Sequence, residues 1–110
     1  MADEVAFHQI AVEVKNRSGR PIVCSAQLAH WFSIELGSAT LDGTISAGFV
    51  SDSATGTVFI LNDAGERIPV EAAWCGFVGN TWETRSQINF TGTDEIEVLC
   101  EARGERLSCR

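Results

Sequence analysis

Four cysteines and two histidines are the residues of this chain whose types are best suited to chemistry: Cys24, Cys75, Cys100, Cys109, His8 and His30. A cysteine nucleophile needs a histidine base nearby, so Cys24 or Cys75 could act with His8 or His30. The thiolate also needs an electropositive pocket, whereas the chain carries a formal net charge of −7. No nucleophile elbow, Walker loop or dinucleotide fingerprint occurs either. We therefore predict that the protein is not an enzyme.

Metal binding is the second chemistry that these residues could support. His8 and His30 fall on predicted apolar strand faces, where Cys24 or Met1 could join them as soft ligands for copper. However, no two cysteines have the spacing of a zinc ribbon. A lone histidine on an apolar face is also more often a structural residue of the core than a metal ligand. We predict no metal and no cofactor, and keep a copper or zinc site at His8 and His30 as an alternative.

The even number of cysteines favours two disulfides. Cys100 and Cys109 lie on the same side of a predicted hairpin that turns at Arg103–Gly104, which places the two thiols within disulfide distance. That pairing leaves Cys24 with Cys75. A Cys24–Cys100 bridge between two sheets remains open, because sequence alone does not decide the connectivity.

Disulfides persist in oxidising compartments, so we expect an extracytoplasmic protein, either periplasmic or secreted. The first residues lack the basic and apolar regions of an export signal. We therefore expect a mature chain whose signal has been removed, with Met1 added in front. Four reduced, buried thiols in a cytosolic protein are the alternative.

Apolar residues alternate with a period of two along most of the chain, which predicts β-strands. Short turn segments such as 16–19 and 62–65 separate them. We count seven or eight strands and expect a single disulfide-bonded domain over residues 1–110. The prediction is an all-β fold, an antiparallel β-sandwich that is immunoglobulin-like or a related Greek key.

The longest alternating run begins after Pro21. It places Ile22, Cys24, Ala26, Leu28, His30, Phe32, Ile34 and Leu36 on one face. Because this is long for one strand, we expect a bulge, a bend or one short helical turn near residues 26–31. Trp31 follows Cys24 as in immunoglobulin domains, but at a shorter spacing, and the chain has no tyrosine. We therefore predict the wider class of sandwiches rather than that family.

The charge pattern limits the partners. The chain has fifteen acidic residues and only eight basic ones, and the basic residues form no cluster in the sequence that could neutralise a nucleic-acid backbone. No apolar run approaches the ~18–20 residues of a membrane-spanning helix. We expect neither nucleic-acid binding nor membrane insertion.

Three aromatic residues lie outside the predicted core. Trp31 and Phe7 are out of phase with their apolar neighbours, and Phe77 falls in a predicted loop. Exposed aromatics are enriched where partners dock. We therefore expect a binding protein that contacts another protein through Trp31, Phe77 and Phe7, as an accessory subunit, adaptor or inhibitor. A carbohydrate-binding module is a further alternative, because exposed tryptophans can stack on sugar rings.

Overall fold

The structure, a computed structural model, describes residues 7–29, 32–89 and 95–110. About two thirds of these residues belong to strands, and the described helix is a single short turn, which confirms the all-β prediction. The elements are β1 (Phe7–Asn16), β2 (Ile22–Leu28), β3 (Phe32–Ala39), β4 (Thr44–Asp52), β5 (Val58–Leu61), β6 (Arg67–Phe77), the helical turn α1 (Thr81–Thr84), β7 (Ser86–Gln87), β8 (Glu95–Arg103) and β9 (Arg106–Cys109).

The nine described strands form one continuous hydrogen-bonded sheet in the order β3-β2-β6-β5-β4-β1-β8-β9, with the two-residue β7 attached to β6. One pair departs from the prediction, because β1 and β8 run parallel. The other pairs are antiparallel. The sheet is therefore mixed, and it does not close on itself in the part of the chain described. The sandwich and the Greek key stay predictions.

Strand β6 joins the two halves of the sheet. Its first residues, up to Pro69, pair with β5, and from Val70 onward it pairs with β2. Pro69 lies where the strand changes partner, a position that suits a residue with no N–H to donate. The change of partner accommodates Pro69 inside the sheet.

A single hydrophobic cluster connects strands that are far apart in the hydrogen-bonded order. Within the described residues, β1, β4, β8 and β9 contribute one part, and β2 and β6 contribute the other: Ile10, Val12, Val14, Ile45, Phe49, Val98 and Leu107, together with Ile22, Ala26, Leu28, Ala73 and Phe77. Gly37 of β3 also packs directly on Ile45 of β4, where an added Cβ would lie 2.9 Å from the Ile45 Cγ2 atom. The sheet therefore folds back so that its two halves cover one core.

The long run of residues 22–36 is not one strand. It divides into β2 and β3, which pair antiparallel as a hairpin, with Leu28 opposite Phe32 and Ala26 opposite Ile34. Within the segment where an irregularity was expected, the register of β2 against β6 shifts between Gln27 and Leu28. A further shift, against β3, occurs between Cys24 and Ser25. Residues 26–28 belong to β2, Ala29 directly after them has the conformation of a 3₁₀ turn within the expected segment, and residues 30 and 31 lie outside the described residues. An alternating pattern is the same on both sides of a tight reversal, so it does not mark the turn.

Two disulfides hold the fold together, with the predicted pairing. Cys24 of β2 is bonded to Cys75 of β6, directly across the ladder. Cys100 of β8 is bonded to Cys109 of β9, again as direct cross-strand neighbours. These are called the β2–β6 disulfide and the β8–β9 disulfide below. Together they indicate an oxidising, extracytoplasmic environment.

The end of β1 carries a fully buried polar side chain, Asn16. Its Nδ2 atom donates to the carbonyl oxygens of Arg20, Ala39 and Thr40 at 2.8, 3.3 and 3.0 Å. Its Oδ1 atom accepts from the N–H and the hydroxyl of Ser18. The buried amide is therefore satisfied on both sides, as buried polar groups require, and it ties the β1–β2 turn to the end of β3.

Candidate functional site

Of the three aromatic residues that the sequence predicts as a contact surface, the structure describes Phe7 and Phe77, and only Phe7 is exposed. Trp31 lies outside the described residues, as does His30. Phe77 is fully buried in the core, with 0% of its surface exposed, so its prediction as a contact residue is wrong. Strand β6 extends to Phe77 instead of ending at Cys75, and alternation carries the Phe77 ring to the inner face beside that cysteine.

Phe7 is on the surface, with 40% of its area exposed. The rings of Phe7 and Phe59 meet edge to face with their centroids 6.4 Å apart, and the Arg67 guanidinium lies 4.1 Å from the Phe7 centroid. A largely apolar hollow of about 370 Å³ lies nearby between β1, β4 and β5, with Phe49 and Leu61 in its lining. This region has aromatic area but few hydrogen-bonding side chains, so it can supply contact area with little specificity.

Of the two histidines in the alternative metal site, the structure describes only His8. His8 is exposed near the start of β1, opposite Ser51 of β4. Its predicted partner His30 lies outside the described residues, so the copper or zinc site at His8 and His30 stays a prediction.

A surface that the sequence did not predict is built around α1. The chain leaves β6 through a turn at Gly79, whose φ of 89° suits glycine, and α1 then crosses back over the end of β6. An added Cβ on Gly76 would collide with the backbone of Thr81. Only glycine at position 76 allows α1 to lie this close to the strand.

The buried side chain of Thr84 fixes α1 in place. Its Oγ1 atom accepts the Phe77 N–H at 2.9 Å and donates to the Asn80 carbonyl oxygen at 2.7 Å. The Thr81 hydroxyl adds a bond to the Phe77 carbonyl oxygen at 3.1 Å. With these two threonines turned to the protein, Trp82 between them projects outward.

Trp82 is 54% exposed, whereas Trp74 of β6 is only 9% exposed. The two indoles meet edge to face, with centroids 5.4 Å apart and planes at 82°. They form one wall of a cleft of about 400 Å³, whose lining is completed by Gln27, Ala72, Arg85, Gln87 and Arg106. We call this the Trp82 cleft. It draws side chains from β2, β6, α1, β7 and β9, so the core positions it.

The Trp82 cleft is positively charged on a strongly acidic protein. Its described lining includes two arginines and no carboxylate. Arg85 stacks on the Trp82 ring at 3.6 Å from its centroid and donates from Nη1 to the Trp82 carbonyl oxygen at 2.7 Å, so the guanidinium and the indole hold each other in place. The Arg106 side chain forms no ion pair or hydrogen bond with the described residues, although its backbone pairs with Arg103 in the β8–β9 ladder. Glu71, outside the lining, accepts a hydrogen bond from the side chain of Gln27 at 3.3 Å.

This arrangement can bind a group that combines an apolar surface with a negative charge. Guanidinium groups pair with carboxylates in charge-assisted hydrogen bonds, and indole rings supply large contact areas at low conformational cost. The two tryptophan rings are perpendicular, so they do not form the flat platform on which a sugar ring would stack.

The sequence pattern did not single out Trp82 as a contact residue, because period-two alternation gives no sign of the helical turn at Thr81–Thr84. The signals that mark the helical turn are Gly76, Gly79 and the two threonines around Trp82. A glycine in a strand marks a close backbone approach, and this signal was available in the sequence without the structure.

No known protein-family model matches this chain, and no curated protein is significantly similar to it. Among the residues that the structure describes, none forms a helix with the length and apolar character needed to cross a membrane.

Proposed function

We propose that this protein acts by binding another protein, as an accessory subunit, adaptor or inhibitor in the periplasm or outside the cell, and that it catalyses no reaction. The Trp82 cleft is the contact site. The observation that carries the proposal is an exposed tryptophan, held rigidly by Trp74 and Arg85, in a cleft with a second arginine whose side chain has no partner among the described residues.

The composition of the cleft supports a protein partner. Tryptophan and arginine are the residues that most often contribute the binding energy of protein interfaces. An anchor whose rotamer is already fixed loses little conformational freedom on binding. The disulfide-bonded, folded-back sheet, which we take to be a β-sandwich, would serve as the rigid support for this anchor.

The charges suggest which part of a partner enters the cleft. The chain carries −7 overall, whereas the cleft presents Arg85 and Arg106. An acidic side chain on the partner would be repelled by the general surface and attracted by the cleft, which fixes orientation more than affinity. We therefore propose that the partner inserts an aspartate or glutamate beside an apolar or aromatic side chain.

The proposal is tested by capture with three matched proteins: the wild type, Trp82→Ala and Phe32→Ala. Phe32 is a suitable control because it is 62% exposed and lies on the separate β3 edge. Each protein is immobilised and exposed to the extracytoplasmic proteins of the source organism. We expect the wild type and Phe32→Ala to retain the same partner, and Trp82→Ala to lose it.

The dissociation constant of the purified partner then gives the size of the effect. A residue that anchors an interface contributes at least about 2 kcal/mol, so Trp82→Ala should weaken binding by about 30-fold or more. Arg106→Gln should mainly lower the association rate and its salt dependence. A partner that binds the wild type and Trp82→Ala equally well contradicts the proposal, as does one whose binding depends on Phe32 instead.

A further inference from the structure

The two disulfides lie against each other in the core. The sulfur atoms of Cys75, Cys100 and Cys109 are all within 4.8 Å of one another, and the sulfur of Cys24 is bonded to that of Cys75. Four sulfurs from four strands therefore meet in one place. Cys24, Cys75 and Cys100 are fully buried, and Cys109 is half-buried.

Strand pairing also brings the positions of these four cysteines together. Cys24 and Cys75 face each other in the β2–β6 ladder, and Cys100 faces Cys109 in the β8–β9 ladder. The two ladders are joined beside the sulfurs by Ser86 of β7, which pairs with Cys75 and accepts the Cys109 N–H at 2.8 Å through its hydroxyl. Strand pairing and core packing hold the four positions in place.

We infer that the four cysteines form a second, reduced-state site: when both disulfides are reduced, their thiolates bind one soft divalent cation such as Zn²⁺. Tetrahedral thiolate sites have metal–sulfur distances of about 2.3 Å, which corresponds to sulfur–sulfur distances of about 3.8 Å. Each bonded pair has to open to that separation. The sulfurs of Cys75, Cys100 and Cys109 already lie within 4.8 Å of one another, and the Cys24 sulfur has to turn toward them from its place beside Cys75. The inference requires that rotation of the cysteine side chains supplies this change.

The chemistry balances with a dithiol as the reductant. Two dithiol molecules supply four electrons and four protons, become two cyclic disulfides, and leave Cys24, Cys75, Cys100 and Cys109 as thiols. Coordination then replaces the four thiol protons with one metal ion, and the protons pass to solvent. The half-buried Cys109 is the sulfur that the reductant reaches first, because Cys100 and the β2–β6 pair have no exposed surface.

This site is separate from the Trp82 cleft and does not depend on the proposed function. In the oxidised protein the sulfurs are covalent crosslinks, and in the reduced protein they would be ligands of a metal crosslink at the same place. The same core would then be held together in both oxidising and reducing surroundings.

Cobalt(II) titration of the reduced protein tests the inference. The purified chain is reduced anaerobically with a phosphine, which adds no competing thiol, and is freed of the reductant by gel filtration. We expect one Co²⁺ per chain, with the intense sulfur-to-cobalt charge transfer of four thiolates, displacement by Zn²⁺, and no binding to the oxidised protein. Mass spectrometry under native conditions should show one metal bound and four protons lost.

Two controls separate a folded site from adventitious thiol binding. The double variant Cys100→Ser/Cys109→Ser keeps only two thiols after reduction, so its affinity for Co²⁺ should fall by at least about 100-fold. Near-ultraviolet circular dichroism follows Trp74, the neighbour of Cys75, and should return to the native spectrum when metal is added. Equal binding by the double variant, absence of binding by the reduced wild type, or a metal complex without the native spectrum would each overturn the inference.

Discussion

The bond between Thr84 and the end of β6 offers a sharp test of how the Trp82 cleft is built. Replacing Thr84 by valine keeps the volume and the branching of the side chain but removes the hydroxyl. The buried Phe77 N–H then loses its 2.9 Å acceptor. The Asn80 carbonyl oxygen also loses the hydroxyl donor, but it still accepts the Thr84 N–H at 3.2 Å. The Phe77 N–H is therefore the group left without a partner.

The expected loss of stability follows from these two bonds. An orphaned buried donor costs about 1–3 kcal/mol, and the second, partly compensated bond about 0.5–1 kcal/mol. The extra buried methyl group of valine offsets roughly 0.8 kcal/mol. We expect Thr84→Val to lower the free energy of unfolding by about 2 kcal/mol, which is a substantial part of the ~5–15 kcal/mol available to a domain of this kind.

Urea unfolding followed by tryptophan fluorescence measures this loss as a lower midpoint with an unchanged slope. Thr84→Ser is the matched control, because it keeps both hydroxyl bonds and loses only one methyl group, at a cost of about 0.8 kcal/mol. Thr84→Val should also change the near-ultraviolet signal of Trp82, because α1 is less firmly held. If valine is tolerated as well as threonine, or if serine costs more than valine, the hydroxyl does not hold α1.

Two further substitutions probe the same core. Gly76→Ala should destabilise the protein by about 1–3 kcal/mol and displace α1, because its Cβ would collide with the backbone of Thr81. Gly48→Ala is the control, since nothing lies within 4 Å of a Cβ at that position, and it should be nearly neutral. Thermal unfolding of both variants measures the difference. Replacing the two cysteines of one disulfide by alanine should lower the free energy of unfolding by about 4 kcal/mol for the β2–β6 disulfide and by about 3 kcal/mol for the β8–β9 disulfide. The first loss is larger because that disulfide closes the longer loop. The reverse order in urea unfolding would argue against that entropic account.

The period-two alternation of apolar residues predicted which face of several strands points to the core, because the face depends on that alternation alone. Ile10, Val12 and Val14 of β1 are buried as expected, and so are Ile45 and Phe49 of β4. The Cys100–Cys109 pairing, which left Cys24 to pair with Cys75, followed from the same parity argument. In both cases neighbouring residues on one strand, or on one hairpin, determine the outcome.

The predictions that failed depend on where a strand ends or turns. Period-two alternation is unchanged by a tight reversal, so it did not separate β2 from β3. It also did not show that β6 continues to Phe77 or that Trp82 lies on a helical turn. The parallel pairing of β1 with β8 depends on contacts between distant parts of the chain, which local pattern does not encode. The cleft was missed because it is formed where several of these ends meet.

The buried amide of Asn16 has a consequence for producing this protein in eukaryotic cells. Asn16-Arg17-Ser18 is a glycosylation sequon, but in the folded protein its acceptor nitrogen donates to three carbonyl groups and has no exposed surface. A glycan could be attached there only before β1 folds, and it would then prevent the turn from packing against β3. The sequon at Asn89 begins with an exposed side chain. Secretion from a eukaryotic host would therefore favour folded molecules that carry a sugar at Asn89 and none at Asn16.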